Sequence, residues 1–260
     1  MIYFVGAGPG AVDLITVRGA ELLKKADIII YAGSLVNPEL LSYAKQGCEI
    51  YNSAKMTLEE IIDVMESGAG SQIVRLHTGD PCIYGAIREQ MDILDEKGLE
   101  YEYVPGVSSF IGAASALKAE YTLPGVSQTV ILTRMAGRTP VPEKEEISKL
   151  AAHGSTMIVF LTSTMLEELQ SRLIDGGYEP DSPAAIVYRA TWPDQKVIRT
   201  RVGNIAEAAR ENGINKMALV LVGGFLGQRY DRSELYNSSF THLFRTAVAI
   251  EDSEDGERQK

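Results

Sequence analysis

The chain has 260 residues, more than one average domain and fewer than three. Its 45% hydrophobic and 23% charged content is that of a globular protein with enough apolar material for sizeable cores, which excludes wholesale disorder. Twenty-five basic against 35 acidic residues give a net charge of −10; this argues against a nucleic-acid partner, which needs clustered Lys and Arg, but leaves room for a small anion held by a few local arginines.

In chain order, residues 2–5 form a short apolar run that ends in a glycine cluster. Residues 17–25 are predicted helical with Thr16 as N-cap. Asp27 to Tyr31 has the pattern of a buried strand. A second helix is predicted over 57–67, capped by Thr57 and carrying Glu59 and Glu60 in the first turn, where the helix dipole favours acids. Ile73 to His77 reads as strand, Ala86 to Lys97 as helix and Tyr101 to Val104 as strand. Such alternation implies an α/β fold with a mainly parallel sheet covered on both faces. Periodicity lapses over 118–128, where Pro124-Gly125 marks a turn. This places a domain boundary between an N-terminal α/β domain, 1–118, and a C-terminal α/β domain, 119–240. In the second half Thr129 to Thr133, Thr156 to Leu161, Pro183 to Tyr188 and Met217 to Val222 are expected strands. Helices are expected near 143–151, 165–175 and 204–212. Lys196 to Val202 alternates like a partly exposed antiparallel strand. Residues 241–260 are polar and acidic and are expected to form a mobile tail. No run approaches the roughly 20 apolar residues that span a bilayer, and Met1 to Gly6 shows no signal-peptide pattern, so a soluble cytoplasmic protein with no membrane partner is expected. Cys48 and Cys82 are too few for a disulfide framework. His77, His153 and His242 show no metal-ligand spacing, so no protein-bound metal is expected.

Three strand-exit turns carry the candidate chemistry. Gly6-Ala-Gly-Pro-Gly-Ala11 satisfies a permissive G-x-G-x-x-G/A dinucleotide fingerprint. Two features weaken that reading. The best N-cap, Thr16, comes several residues after the glycines, and Asp27 opens the second strand instead of ending it. A tight turn needing positive φ at glycine, or a loop that lets a ligand approach the backbone, are the other readings. His77-Thr-Gly-Asp-Pro-Cys-Ile-Tyr-Gly85 follows the strongest strand. There Asp80 either caps the next helix or faces a ligand. Val104-Pro-Gly-Val-Ser-Ser-Phe110 leads into a helix of small residues, with Ser108 as N-cap or ligand contact. Three such turns at one end of one sheet point to a cleft.

Val5 to Gly19, Gly79 to Gly85 and Val104 to Ser109 resemble, in order and spacing, the motifs of the tetrapyrrole methylase family, and the resemblance runs from residue 2 to about residue 240. Within the family, Tyr31-Ala-Gly-Ser-Leu-Val36 and Leu132-Thr-Arg-Met-Ala-Gly-Arg-Thr139 look most like the branch that methylates C11 of precorrin-4 or cobalt-precorrin-4 in cobalamin biosynthesis. The resemblance implies two α/β/α domains with a ligand cleft between them, usually in a homodimer, and not a Rossmann-type methyltransferase sheet. It implies S-adenosylmethionine as methyl donor, with S-adenosylhomocysteine as product. Carried over motif by motif, the donor site would comprise Pro9, Thr78, Gly79, Asp80, Ile83, Ser108 and Ser109 from the first half. Leu161, Ala190, Met217 and Ala218 would complete it from the second.

The implied substrate is an anionic tetrapyrrole whose carboxylates need local positive charge. Arg134, Arg138, Arg189 and Arg18 are the candidates, because a guanidinium matches a carboxylate bidentately. Tyr84 is a further substrate-binding candidate. It and Asp80 are candidates to accept a ring proton, and neither can be assigned as a catalytic base from sequence. Within the same family, methylation of uroporphyrinogen-III is the alternative. From other classes, a dinucleotide-dependent oxidoreductase or a binding protein without catalysis remain.

Overall fold

The structure is a computed structural model and describes residues 1–247. The expected acidic tail lies, from residue 248 on, outside the described residues. The chain builds two five-stranded sheets. In the first, strands β1 (Ile2–Gly6), β2 (Ile28–Tyr31), β3 (Glu49–Asn52), β4 (Ile73–His77) and β5 (Tyr101–Val104) lie in the order β3-β2-β4-β1-β5, and every pairing is parallel. Both faces are covered, which is why β2 and β4 read as unbroken buried strands. Val5, Ile29, Val74 and Leu76 pack on one face with Leu23 of α1 (Val17–Lys25). Phe4, Ile30 and Ile73 pack on the other with Ile61, Ile62 and Met65 of α2 (Leu58–Ser67) and Leu94 of α3 (Arg88–Glu96).

Local chemistry sets the helix ends. The Thr16 hydroxyl accepts from Gly19 N–H at 3.1 Å, so α1 starts seven residues after Gly10. Thr57 and Glu60 form a reciprocal capping box at the start of α2. Strand β3 has no counterpart among the predicted elements. It is a four-residue edge strand with a mostly polar, exposed face, so it lacks the apolar run that marked the others.

Helix α4 (Ser109–Leu117) leads out of the first sheet, and its Ala113 and Leu117 pack against the second. That sheet contains β6 (Val130–Arg134), β7 (Thr156–Phe160), β8 (Pro183–Tyr188), β9 (Lys196–Arg201) and β10 (Ala218–Val222), in the order β6-β7-β10-β8-β9. Its other face is covered by α5 (Ile147–Ala151), α6 (Leu166–Asp175) and α7 (Ile205–Glu211). The β8–β9 pair is antiparallel, as the alternation of Lys196 to Val202 indicated. Unlike the first, this sheet is mixed. β6 and β7 are parallel, but β10 inserts antiparallel between β7 and β8.

Candidate functional site

The order β4-β1-β5 explains why the glycine turns converge: they leave three adjacent strands at one end of the sheet. The first two turns are bonded to each other. Gly8 N–H donates to Gly79 O at 3.2 Å and Gly79 N–H to Gly8 O at 3.0 Å. The third packs into them backbone to backbone. A Cβ on Gly6 would sit 2.6 Å from both Gly106 Cα and Gly79 O, so glycine there serves turn-to-turn packing. Gly8 and Gly79 add positive φ, +80° and +60°. The dinucleotide reading is thereby answered: the glycines of the first turn face another loop, and no helix starts inside the motif.

Asp80 ties the second turn to the third and to β5. Its carboxylate accepts from Cys82 N–H at 2.8 Å and Gly106 N–H at 2.7 Å, and from the Tyr103 hydroxyl. Burial alone pushes this carboxyl up, but the hydrogen bonds from Cys82, Tyr103 and Gly106 outweigh it and hold it below the ordinary value. Burial, followed by the Asp80 carboxylate, pushes the Tyr103 hydroxyl well up. Asp80 does not cap a helix. The residues after it form a turn, and α3 begins only at Arg88. Ser108 does stand at the N-cap of α4, yet its side chain makes no capping hydrogen bond.

Across from these turns, loops of the second sheet close a cavity of about 290 Å³. Two hydrogen bonds join loops of the two halves beside it. Ala11 N–H donates to Thr191 Oγ1 at 3.0 Å, and Trp192 Nε1–H donates to Pro9 O at 3.2 Å. The cavity walls gather Pro9, Thr78, Gly79, Asp80, Ile83, Ser108 and Ser109 on one side. Leu161, Ala190, Met217 and Ala218 line the other. Tyr84 and Arg189 line it as well. The Tyr84 ring meets Phe160 at 5.4 Å between centroids, and burial pushes its hydroxyl up. Tyr84, Leu161, Arg189 and Met217 all have positive φ, between 45° and 57°, a conformation that costs about 1–3 kcal/mol and concentrates at ligand sites. Leu161 is 63% exposed, an apolar side chain at the cavity's edge and not part of a core.

The arginines divide. Arg189 stacks over Trp192 at 4.0 Å and pairs with Asp194 at 2.8 Å while lining the cavity. Arg134, Arg138 and Arg18 do not line it. The Arg134 guanidinium instead donates to the carbonyls of Met135, Thr139 and Pro140 at 3.3, 3.2 and 2.7 Å, which closes the loop after β6. Arg138 and Arg18 are exposed. Sequence reasoning passed over Arg75, His77 and Trp192, all of which line the cavity. The signal for the first two was a polar residue at alternate positions of an otherwise apolar strand.

The sequence model of the Tetrapyrrole (Corrin/Porphyrin) Methylases matches residues 1–206, and the chain belongs to that family. Within it, the chain is 52% identical over 247 residues to the cobalt-precorrin-4 C(11)-methyltransferase of Methanocaldococcus jannaschii, covering 94% of this chain and 95% of that one. A solved cobalt precorrin-4 methyltransferase, a cobalamin biosynthetic enzyme, superposes with a TM-score of 0.85 at 48% identity, over 87% of this chain and 96% of that one. A uroporphyrin-III C-methyltransferase from Thermus thermophilus, solved in complex with S-adenosylhomocysteine, superposes with a TM-score of 0.72 at 25% identity, over 86% and 92%.

Proposed function

We propose that the protein is a C-methyltransferase that moves the methyl group of S-adenosylmethionine to C11 of precorrin-4, in its cobalt-bearing form, during cobalamin biosynthesis. The observation that carries this reading is the single cavity in which all the donor-site candidates of both halves meet. The relative at 52% identity supports C11 of cobalt-precorrin-4 over the uroporphyrinogen alternative.

The residues fit an adenosyl-amino-acid ligand. Thr78 Oγ1 and His77 Nε2 are buried without a hydrogen-bond partner in the cavity wall, and Leu161, Met217 and Ala218 offer apolar surface opposite. Bound there, the donor supplies a methyl group already activated by a sulfonium. The chain's own task is then alignment, which can contribute roughly 7–11 kcal/mol. The backbone-bonded turns at Gly8 and Gly79 hold one wall rigid, and the strained Leu161 and Met217 aim the other. Asp80 is a poor proton acceptor, because three donors already occupy its oxygens. Its part is to hold Thr78, Gly79 and Ser108 in place. Of Arg18, Arg134, Arg138 and Arg189, the last is the one at the cavity, in reach of a tetrapyrrole carboxylate.

The setting follows from the same reading. The thiols of Cys48 and Cys82 are unpaired, as suits a reducing cytoplasm. Leu235, Phe240, Leu243 and Phe244 are exposed apolar residues on one stretch of chain, a surface suited to the homodimer that the family implies. Sedimentation or light scattering tests the dimer. Titration with S-adenosylhomocysteine and with NAD tests the donor: one site per chain for the former and no competition from the latter are expected. NAD binding without S-adenosylhomocysteine binding would refute the proposal.

A further inference from the structure

Strand β4 puts a cation where the core should be apolar. Arg75 is 5% exposed and lies on the same face as Ile73, under α3. Its Nε donates to Gln90 Oε1 at 3.1 Å and its Nη1 to Ile30 O at 3.3 Å. No ion pair among the described residues includes it. Burial lowers its pKa to about 10, so it stays charged at neutral pH. A buried charge without a counter-charge is a strong penalty unless something offsets it.

His77 follows two residues later on the same face and is 3% exposed. Burial, and then the Arg75 charge, push it down to about 3, so it is neutral and carries a single ring N–H. Its Nε2 is buried without a partner, and so is Oγ1 of the next residue, Thr78. Arg75, His77 and Thr78 all line the cavity. The three together offer one cation and two neutral groups able to donate, which is the complement of one carboxylate.

We propose that Arg75, His77 and Thr78 form a buried subsite that takes one carboxylate of a ligand bound in the cavity. This deepens the methyltransferase reading and rests on it. Two ligands of that reading bear the group: the methyl donor, at its amino-acid end, and the tetrapyrrole, on its acetate and propionate arms. In either case the anion supplies the counter-charge that the protein withholds from Arg75. Gln90 and the Ile30 carbonyl serve to orient the guanidinium, since neither is charged.

Calorimetric titration of wild type, Arg75→Lys and Thr78→Val tests this with three ligands: S-adenosylhomocysteine, 5′-methylthioadenosine, which lacks the amino-acid end, and cobalt-precorrin-4. Arg75→Lys keeps the charge and loses the fork. Thr78→Val keeps the shape and loses only the hydroxyl. If the donor supplies the carboxylate, Arg75→Lys weakens S-adenosylhomocysteine about 10- to 100-fold and Thr78→Val a few-fold. Methylthioadenosine then stays within twofold. If the tetrapyrrole supplies it, both adenosyl ligands stay within twofold and cobalt-precorrin-4 weakens by those factors. The subsite is overturned if all three ligands keep wild-type affinity, or if methylthioadenosine weakens as much as S-adenosylhomocysteine, which is the mark of a merely structural arginine. Should Arg75→Lys fail to fold, Thr78→Val decides by the same comparison. Failure of wild type itself to bind S-adenosylhomocysteine would instead sink the methyltransferase reading.

Discussion

Replacing Asp80 by alanine removes the carboxylate that bonds the second glycine turn to β5 and to the third turn. Gly106 N–H and the Tyr103 hydroxyl lose their acceptor, while Cys82 N–H keeps the Tyr103 hydroxyl oxygen at 3.0 Å. Tyr103 is 36% exposed, so water can take over much of its bond. Gly106 N–H sits inside the packed junction of Gly6, Gly79 and Gly106 and is harder to satisfy. A hydrogen bond to a charged acceptor contributes about 1.5–3 kcal/mol and an ordinary one about 0.5–1.5, so a loss of roughly 2–4 kcal/mol is expected. For a chain of this size that lowers the melting temperature by roughly 5–15 °C. The depressed carboxyl gives a pH signature as well. Its contribution is complete above the ordinary value of 3.8 and is lost as the pH falls through the lower folded value, so the variant should lose less stability than wild type in that acid range. Scanning calorimetry beside S-adenosylhomocysteine titration is the assay: melting temperature and affinity should fall together. Lost affinity at an unchanged melting temperature would refute the bridging role and make Asp80 a direct ligand contact.

Gly6→Ala introduces a Cβ 2.6 Å from two backbone atoms of other turns and should destabilise by about 1–3 kcal/mol, read by urea unfolding; a neutral change would mean the turns are not rigidly packed. His77, held neutral by burial with a folded value near 3, protonates in the unfolded chain below about 6.5. Stability is therefore full above that value and falls as the pH drops, by about 2 kcal/mol between pH 7 and pH 5, and His77→Phe, which can stack on Phe4, should flatten this slope. Arg134→Ala should raise hydrogen exchange over residues 135–140 and leave S-adenosylhomocysteine affinity within twofold, because the guanidinium holds that loop's carbonyls; unchanged exchange would remove its stapling role. Leu161→Gly relieves a positive φ, so it should change stability by less than about 1 kcal/mol while weakening donor binding; large unfolding would place Leu161 in a core after all.

The parallel first sheet was legible because β1, β2 and β4 are buried on both faces and so read as short apolar runs closed by glycine. The cleft was legible because the three turns repeat at the ends of strands. Several features were not. Strand β3 is Glu49-Ile50-Tyr51-Asn52 at an edge, where composition carries little signal. The direction of β10 follows from its insertion between β7 and β8, a tertiary choice that no run of residues encodes. Arg75 and His77 sat in a strand whose burial was foreseen, but a charged side chain in a core is the exception to the rule used to read it. Arg134 follows a strand towards the cleft, as read, and then turns back on its own loop.

Single-turnover incubation of the protein with cobalt-precorrin-4 and S-adenosylmethionine labelled with ¹³C at the methyl group tests the central claim most directly. The account requires one new methyl signal, assigned by NMR to C11 of the macrocycle, together with one S-adenosylhomocysteine per turnover. A methyl group at another ring carbon, or no transfer by protein that binds both ligands, would contradict it.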